Sequence, residues 1–182
     1  MNKKKKILAL LGSTKQDSAN LKILENFMQL TASIFEVEIY PLSDLPYFNP
    51  DLDNDNRIPI SVTRFRQHIE ASDGIIICTP EYVFSLPGIL KNALEWTVST
   101  MLLHEKPTAL ITAYSSGDKA HESLELVMKT IGAEVGDKSS ILIKNVRTVL
   151  NQQGEITNPN TLADLNGLIE AFKATLTNSQ HG

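Results

Sequence analysis

Residues 74–78 read Gly-Ile-Ile-Ile-Cys, with no polar side chain among them. A strand with one wet face alternates apolar and polar residues, so a bare run of this kind predicts an interior strand covered on both faces. A loop rich in proline and polar residues follows over 79–88. Beyond it, Leu86, Ile89, Leu90, Ala93, Leu94, Thr97 and Met101 fall on one helical face. The unit is strand, loop, helix. Residues 7–11 are a second bare run, and 108–113, apolar but for Thr108 and Thr112, read as another strand buried on both sides; each is followed by a polar loop and an amphipathic segment.

The rest of the chain fits the same alternation. Residues 35–40 alternate apolar and polar, which predicts a half-exposed strand at a sheet edge. Residues 139–146 supply a fifth strand. Helical spacing marks 20–31, a stripe of Ile58, Val62, Phe65 and Ile69, a segment with Leu124, Val127, Met128 and Ile131 that stops at Gly132, and a last helix over 158–175 with Leu162, Leu165, Ile169, Phe172 and Leu176. Five strands alternating with five helices predict an α/β three-layer sandwich. Its parallel sheet takes the order 2-1-3-4-5, with helices on both faces. One domain spans 1–182, with a polar, disordered tail from about residue 177. The helix over 86–102 is apolar round more than one face through Trp96, Val98 and Leu102. It must therefore be covered by a neighbouring loop or by another subunit.

Composition narrows the function classes. The chain has 182 residues, a net charge of -4 and a pI near 5.6, a balance that argues weakly against a nucleic-acid binder, because phosphate-backbone binding normally shows a basic face. No apolar run approaches the roughly 20 residues of a membrane helix. Lys3 to Lys6 precede too short an apolar stretch for a signal peptide and read as solvated charge. The single cysteine, Cys78, excludes an intrachain disulfide and suits the cytoplasm. It is expected to pack inside the third strand. Asp51, Asp53 and Asp55 mimic the start of a calcium loop, but Asn56 and Val62 stand where that loop needs Gly and Glu. Residues 42–57 are therefore expected to form a solvated acidic loop. His68, His104, His121 and His181 show no ligand spacing.

In the order 2-1-3-4-5 the loops after strands one and three lie side by side, with the loop after strand four beyond them. The first loop carries the hydroxyls of Ser13, Thr14 and Ser18, the cation of Lys15 and the amide of Asn20, and runs into a helix N-terminus. Free amides and the helix dipole favour a phosphate there. Ser18 serves equally as a plain N-cap. Neither Gly-x-Gly-x-x-Gly nor a Walker loop is present. In the second loop, Pro80, Glu81 and Tyr82 offer rigid backbone and an aromatic face for a flat heterocycle. Tyr82 has the alternative role of a loop anchor, and Ser85 that of an N-cap. Ser115, Ser116 and Gly117 of the third loop are placed to reach the ring's far edge.

Two stretches carry a resemblance. Gly12-Ser13-x-Lys15-x-x-Ser18-x-Asn20 resembles the phosphate loop of the NADPH-dependent FMN reductase family, usually Gly-Ser-x-Arg-x-x-Ser-x-Asn. Pro80-Glu81-Tyr82-Val83-x-Ser85-x-Pro87-Gly88-x-Leu90-Lys91-Asn92-Ala93-x-Glu95-Trp96 is similar to its second signature, Pro-Glu-Tyr-Asn-x-Ser-x-Pro-Gly-x-Leu-Lys-Asn-Ala-x-Asp-Trp. The resemblance extends from Lys6 to about Val146. It implies a flavodoxin-like fold, bound flavin mononucleotide (FMN), and reduction by NADPH or NADH. Electrons then pass to a small acceptor such as a quinone, azo dye, metal oxyanion or free flavin. It also implies a homodimer or homotetramer built partly through the helix around Trp96.

By this resemblance Ser13, Lys15, Ser18, Ala19 and Asn20 hold the phosphate. Pro80, Glu81, Tyr82, Val83 and Ser85 line the flavin ring, and Ser115 to Gly117 close the site. No side chain need act as nucleophile or base, because the cofactor carries the chemistry. Two departures stand out: Lys15 replaces a bidentate arginine with a point charge, and Val83 replaces an asparagine. A flavodoxin-type electron carrier and a redox-inactive protein for a phosphate-bearing ligand remain the competing readings.

Overall fold

The computed structural model describes residues 3–54, 56–114 and 118–179. Five strands, β1 (Lys5–Leu11), β2 (Phe35–Tyr40), β3 (Gly74–Thr79), β4 (Thr108–Ala113) and β5 (Ser140–Ile143), form one sheet in the order β2-β1-β3-β4-β5. Every pairing is parallel, with Ile7 opposite Gly74 and Ile75 opposite Thr108. β3 and β4 are buried at every position, the threonines Thr79, Thr108 and Thr112 included.

Side-chain alternation divides the interior into two cores. Ile7, Ala9, Ile76, Cys78, Ala109 and Ile111 point to one face. There they meet Ile23, Leu24 and Phe27 of α1 (Ala19–Thr31) and Leu165, Ile169 and Phe172 of α6 (Pro159–Asn178). Leu8, Leu10, Ile75, Ile77 and Leu110 point to the other. That face is covered by Val62, Phe65 and Ile69 of α2 (Ile60–Ala71), Leu90, Ala93 and Leu94 of α3 (Gly88–Glu95), and Leu124 and Met128 of α4 (Lys119–Ile131). Gly132 caps α4 at φ +82°, a left-handed conformation that glycine adopts without a Cβ penalty. The half-buried strand β2 is an edge, as its alternation indicated.

Several boundaries differ from the sequence expectation. Helix α3 stops at Glu95, not beyond Met101, and a 3₁₀ turn follows over Val98–Thr100. The cause is capture of Trp96. Its indole N–H donates to the Pro46 carbonyl at 2.9 Å, and its own carbonyl accepts from Arg66 Nε at 2.9 Å. Trp96 is fully buried by the 46–48 loop, with Phe48 edge-on at 5.0 Å. The second apolar face of α3 is thus covered from within the chain at Trp96, while Val98 and Met101 stay exposed.

The 42–57 stretch is not a uniformly solvated acidic loop. It holds two 3₁₀ turns, Leu42–Asp44 and Pro50–Leu52. The Asp53 side chain is only 8% exposed and pairs with Arg66 at 2.7 Å; Asp51 is exposed, and Asp55 lies outside the described residues. Strand β5 ends at Ile143, because Asn145 turns the chain at φ +52° into a four-residue helix, α5 (Val146–Val149). In α6, Leu162 is partly exposed and off the core stripe, and Thr177 and Asn178 are still helical.

Two outcomes follow for stability. Arg66→Ala leaves Asp53 buried without its partner and frees the loop over Trp96. A loss of about 3 kcal/mol is expected in urea denaturation, and an unchanged midpoint would show that the pair does not hold the loop. His121 of α4 contacts Thr112 Oγ1 at 3.0 Å, and burial lowers its pKa from the ordinary 6.5 against the opposing pull of Glu125 and Glu122. The unfolded chain therefore takes this proton at a higher pH than the folded one. Stability is complete above about pH 6.5 and is lost as pH falls from there toward the folded-state value. His121→Gln is expected to flatten that part of the stability–pH curve, and an equal slope in the variant would rule the histidine out.

Candidate active site

Strand β1 leaves the sheet at a point with no room for a side chain. The Gly12 amide donates to the Cys78 carbonyl at 2.9 Å, and a Cβ on Gly12 would overlap the Thr79 side chain. The first loop is thereby pressed against the end of β3. It enters α1 through Ser18, whose hydroxyl accepts the Leu21 amide at 3.0 Å. The Ser18 carbonyl accepts the Lys22 amide at 3.1 Å. The amides of Ala19 and Asn20, in the first turn, have no acceptor among the described residues. Ser13 and Ser18 are buried, whereas Lys15 is exposed and makes no ion pair among the described residues.

Two predicted site side chains serve the scaffold. Asn20 donates from Nδ2 to the Ala113 carbonyl at 3.0 Å, and the Cys78 thiol donates to the Asn20 carbonyl at 3.2 Å. The side-chain amide of Asn20 therefore ties α1 to β4. Burial pushes the Cys78 thiol far above its usual range, which keeps it an inert core group. Glu81 reaches across to α4, where its carboxylate accepts the Ala120 amide at 2.8 Å. Asp118, the N-cap of α4, makes no side-chain cap of its own, so Glu81 supplies it from the second loop.

After Tyr82 the second loop reverses in a two-residue turn. Tyr82 and Ser85 exchange backbone hydrogen bonds of 3.0 and 3.1 Å, with Val83 at φ +52° and Phe84 at φ +56° between them. Positive φ at both central positions is the type I′ requirement. It explains the family asparagine at position 83, a residue type that tolerates this conformation, and makes the β-branched Val83 a strained occupant. Val83 and Phe84 are 94% and 74% exposed. Ser85 closes the turn through its backbone and does not cap α3, whose N-cap is Pro87.

One open crevice of about 240 Å³ gathers Ser13, Lys15, Ser18, Ala19 and Asn20 from the first loop. Pro80, Glu81 and Tyr82 of the second loop also line it, while Val83 and Ser85 lie outside its wall. Ser115, Ser116 and Gly117 lie outside the described residues. Sequence reasoning missed Ala113, Tyr114, Val146 and Arg147, which complete the wall. Tyr114 donates its amide to the Ile143 carbonyl at 3.1 Å and accepts the Val146 amide at 3.0 Å, which joins the end of β4 to α5. Burial, with smaller effects of Asp118 and Glu81, raises its phenol above the ordinary 10, so it remains protonated at neutral pH. Arg147 sits on a helix too short to show a period, and its only signal was its place after the strand next to β4. Unpaired amides, buried hydroxyls and two cations suit a phosphate, and Pro80 and Tyr82 beside them suit a flat ring. A larger groove, lined by Lys6, Glu38 and His68 beside the edge strand, lies away from these converging loops.

The strand order, with loops meeting between β1 and β3, makes this a flavodoxin-like protein. Comparison with known sequences narrows the class: residues 5–147 match the NADPH-dependent FMN reductase family, and the chain belongs to it. A quinone reductase of Escherichia coli is 28% identical over 179 residues, covering 94% of this chain and 95% of that protein. An NADH:(hydroxy)cinnamate reductase subunit of Vibrio ruber is 29% identical over 171 residues, covering 91% and 84%. Among solved structures, FerB, a flavoenzyme NAD(P)H:(acceptor) oxidoreductase from Paracoccus denitrificans, aligns with a TM-score of 0.76 and 25% identity over 96% of this chain and 98% of that one.

The strained turn gives a direct test. Val83→Asn is expected to raise stability by about 1 kcal/mol, because asparagine accepts the left-handed conformation at lower cost. The midpoint of thermal or urea unfolding measures it; a midpoint no higher than the parent's would mean that Val83 carries no strain.

Proposed function

We propose that the protein is an FMN-dependent NAD(P)H oxidoreductase that passes electrons to a small acceptor, with a quinone as the favoured class. The observation that carries this reading is the union, in one crevice, of phosphate-type donors at the start of α1 with the Pro80–Tyr82 wall, in a chain of this family. FMN, when bound, supplies the chemistry by accepting hydride from NAD(P)H and delivering electrons onward.

The protein's part is binding and orientation. The amides of Ala19 and Asn20, the hydroxyls of Ser13 and Ser18, and Lys15 hold the phosphate. Pro80 and Tyr82 seat the ring. The Glu81 carboxylate is engaged by the α4 amide, which draws its charge toward a helix N-terminus instead of leaving it free beside the ring. No side chain needs to take a proton or form a covalent bond, and Cys78 is sealed in the core. The open crevice serves donor and acceptor in turn, which gives ping-pong kinetics.

The exposed apolar side chains Val83, Phe84, Val98 and Met101 support a homodimer or homotetramer. A lone buried cysteine supports a cytoplasmic location. Among the described residues no helix is long and apolar enough to cross a membrane.

The purified protein is expected to be yellow, to release flavin on heating, and to bleach on anaerobic titration with NADPH or NADH. Steady-state rates against a quinone are expected to give parallel double-reciprocal lines. A colourless protein that takes up no added FMN would overturn the assignment, and flavin binding without oxidation of either nicotinamide would point to an electron carrier.

A further inference from the structure

The first loop carries Lys15 where the family pattern has arginine, yet the crevice does not lack a guanidinium. Arg147 lines the same cavity as Ser13, Lys15, Ser18 and Ala19, although it comes from α5, on the far side of β4 and more than a hundred residues along the chain. Neither Lys15 nor Arg147 has an acidic partner among the described residues. Many cations elsewhere are paired, among them Lys5 with Asp73, Lys22 with Glu25, Arg66 with Asp53 and Lys91 with Glu95. In a chain of net charge -4, the crevice wall carries two cations, Lys15 and Arg147, against one carboxylate, Glu81, which is held by the Ala120 amide; with the amides of Ala19 and Asn20 this leaves the wall net positive.

The backbone of Arg147 is held on both sides. The Val146 amide donates to the Tyr114 carbonyl at 3.0 Å, and the Thr148 amide and hydroxyl donate to the Asn145 carbonyl at 2.8 and 2.9 Å. Val146 and Val149 are buried in the core beneath α1 and α6. The turn is thereby anchored, while the Arg147 side chain is exposed and has no partner among the described residues.

We propose that Arg147 is a second cationic arm of the phosphate site, supplying from the end of β5 the guanidinium fork that the first loop lacks. This rests on the FMN reading above. A phosphate monoester carries close to two negative charges at neutral pH. One lysine compensates part of that charge as a point cation, and an arginine adds paired, directional N–H donors to two phosphate oxygens. Lys15 and Arg147 are on separate elements, so together they grip the phosphate from two anchors.

The test uses the full chain freed of flavin and titrated by fluorescence quenching with FMN and, as the phosphate-free probe, riboflavin. Arg147→Ala is expected to weaken FMN binding roughly 10- to 100-fold, the range for a lost hydrogen bond to a charged group, and to leave riboflavin affinity unchanged. Arg147→Lys is expected to fall between the two. Equal FMN affinity in parent and Arg147→Ala overturns the inference but leaves the reductase reading standing. An equal loss for FMN and riboflavin also overturns it, because the phosphate would not be what the side chain senses. A parent protein that binds neither flavin removes both readings. An unchanged unfolding midpoint in Arg147→Ala confirms that a selective loss is a binding effect, as expected for an exposed side chain with no partner among the described residues.

Discussion

The closeness of the ends of β1 and β3 governs the site. Parallel pairing sets Leu11 beside Cys78, and the next amide, Gly12, donates to the Cys78 carbonyl where no Cβ can fit. Two loops are therefore obliged to start from one point on the rim. This depends on the bare apolar runs, because only a sheet covered on both faces keeps β1 and β3 as interior neighbours.

From that start, backbone and side chains take different tasks. The start of α1 leaves two amides without an acceptor among the described residues, which is what an anion needs, while the Asn20 side chain fastens the helix to β4. In the second loop, Glu81 fastens the chain to α4. A sequence motif records that these residue types are required, but not whether each touches a ligand or holds the frame that does. Asn20 and Glu81 border the crevice, and their side-chain polar groups belong to the frame.

What was legible in the sequence follows from the range of the forces involved. Strands β1 and β3 are legible because burial on both faces leaves an apolar run, over 7–11 and 74–78, β4 because its only polar side chains are the small threonines Thr108 and Thr112, and the edge strand β2 because half-exposure leaves alternation. The N-cap role of Ser18 and the stop at Gly132 are local and were equally plain. The end of α3 was not, because it is set by Arg66 and Pro46, which lie thirty and fifty residues from Trp96. The same distance hid the pairing of Asp53, which in the sequence is one acid among several. Helix α5 is too short for a period, so only its place after the strand next to β4 pointed from Arg147 to the crevice that Lys15 also lines. Val83 shows the converse: its type departs from the family pattern, yet the hairpin keeps the backbone form that the usual asparagine would suit.

The carboxylate of Glu81 on the Ala120 amide has a mechanical side. It clamps the root of the hairpin to a helix packed on the sheet, so that root cannot shift without uncapping α4. The tip, Val83 and Phe84, has no such clamp and projects into solvent. The second loop is thus anchored at its base and bare at its tip, so that in the proposed reading the floor under the ring is tied to the frame while two apolar side chains are left for whatever approaches from solvent.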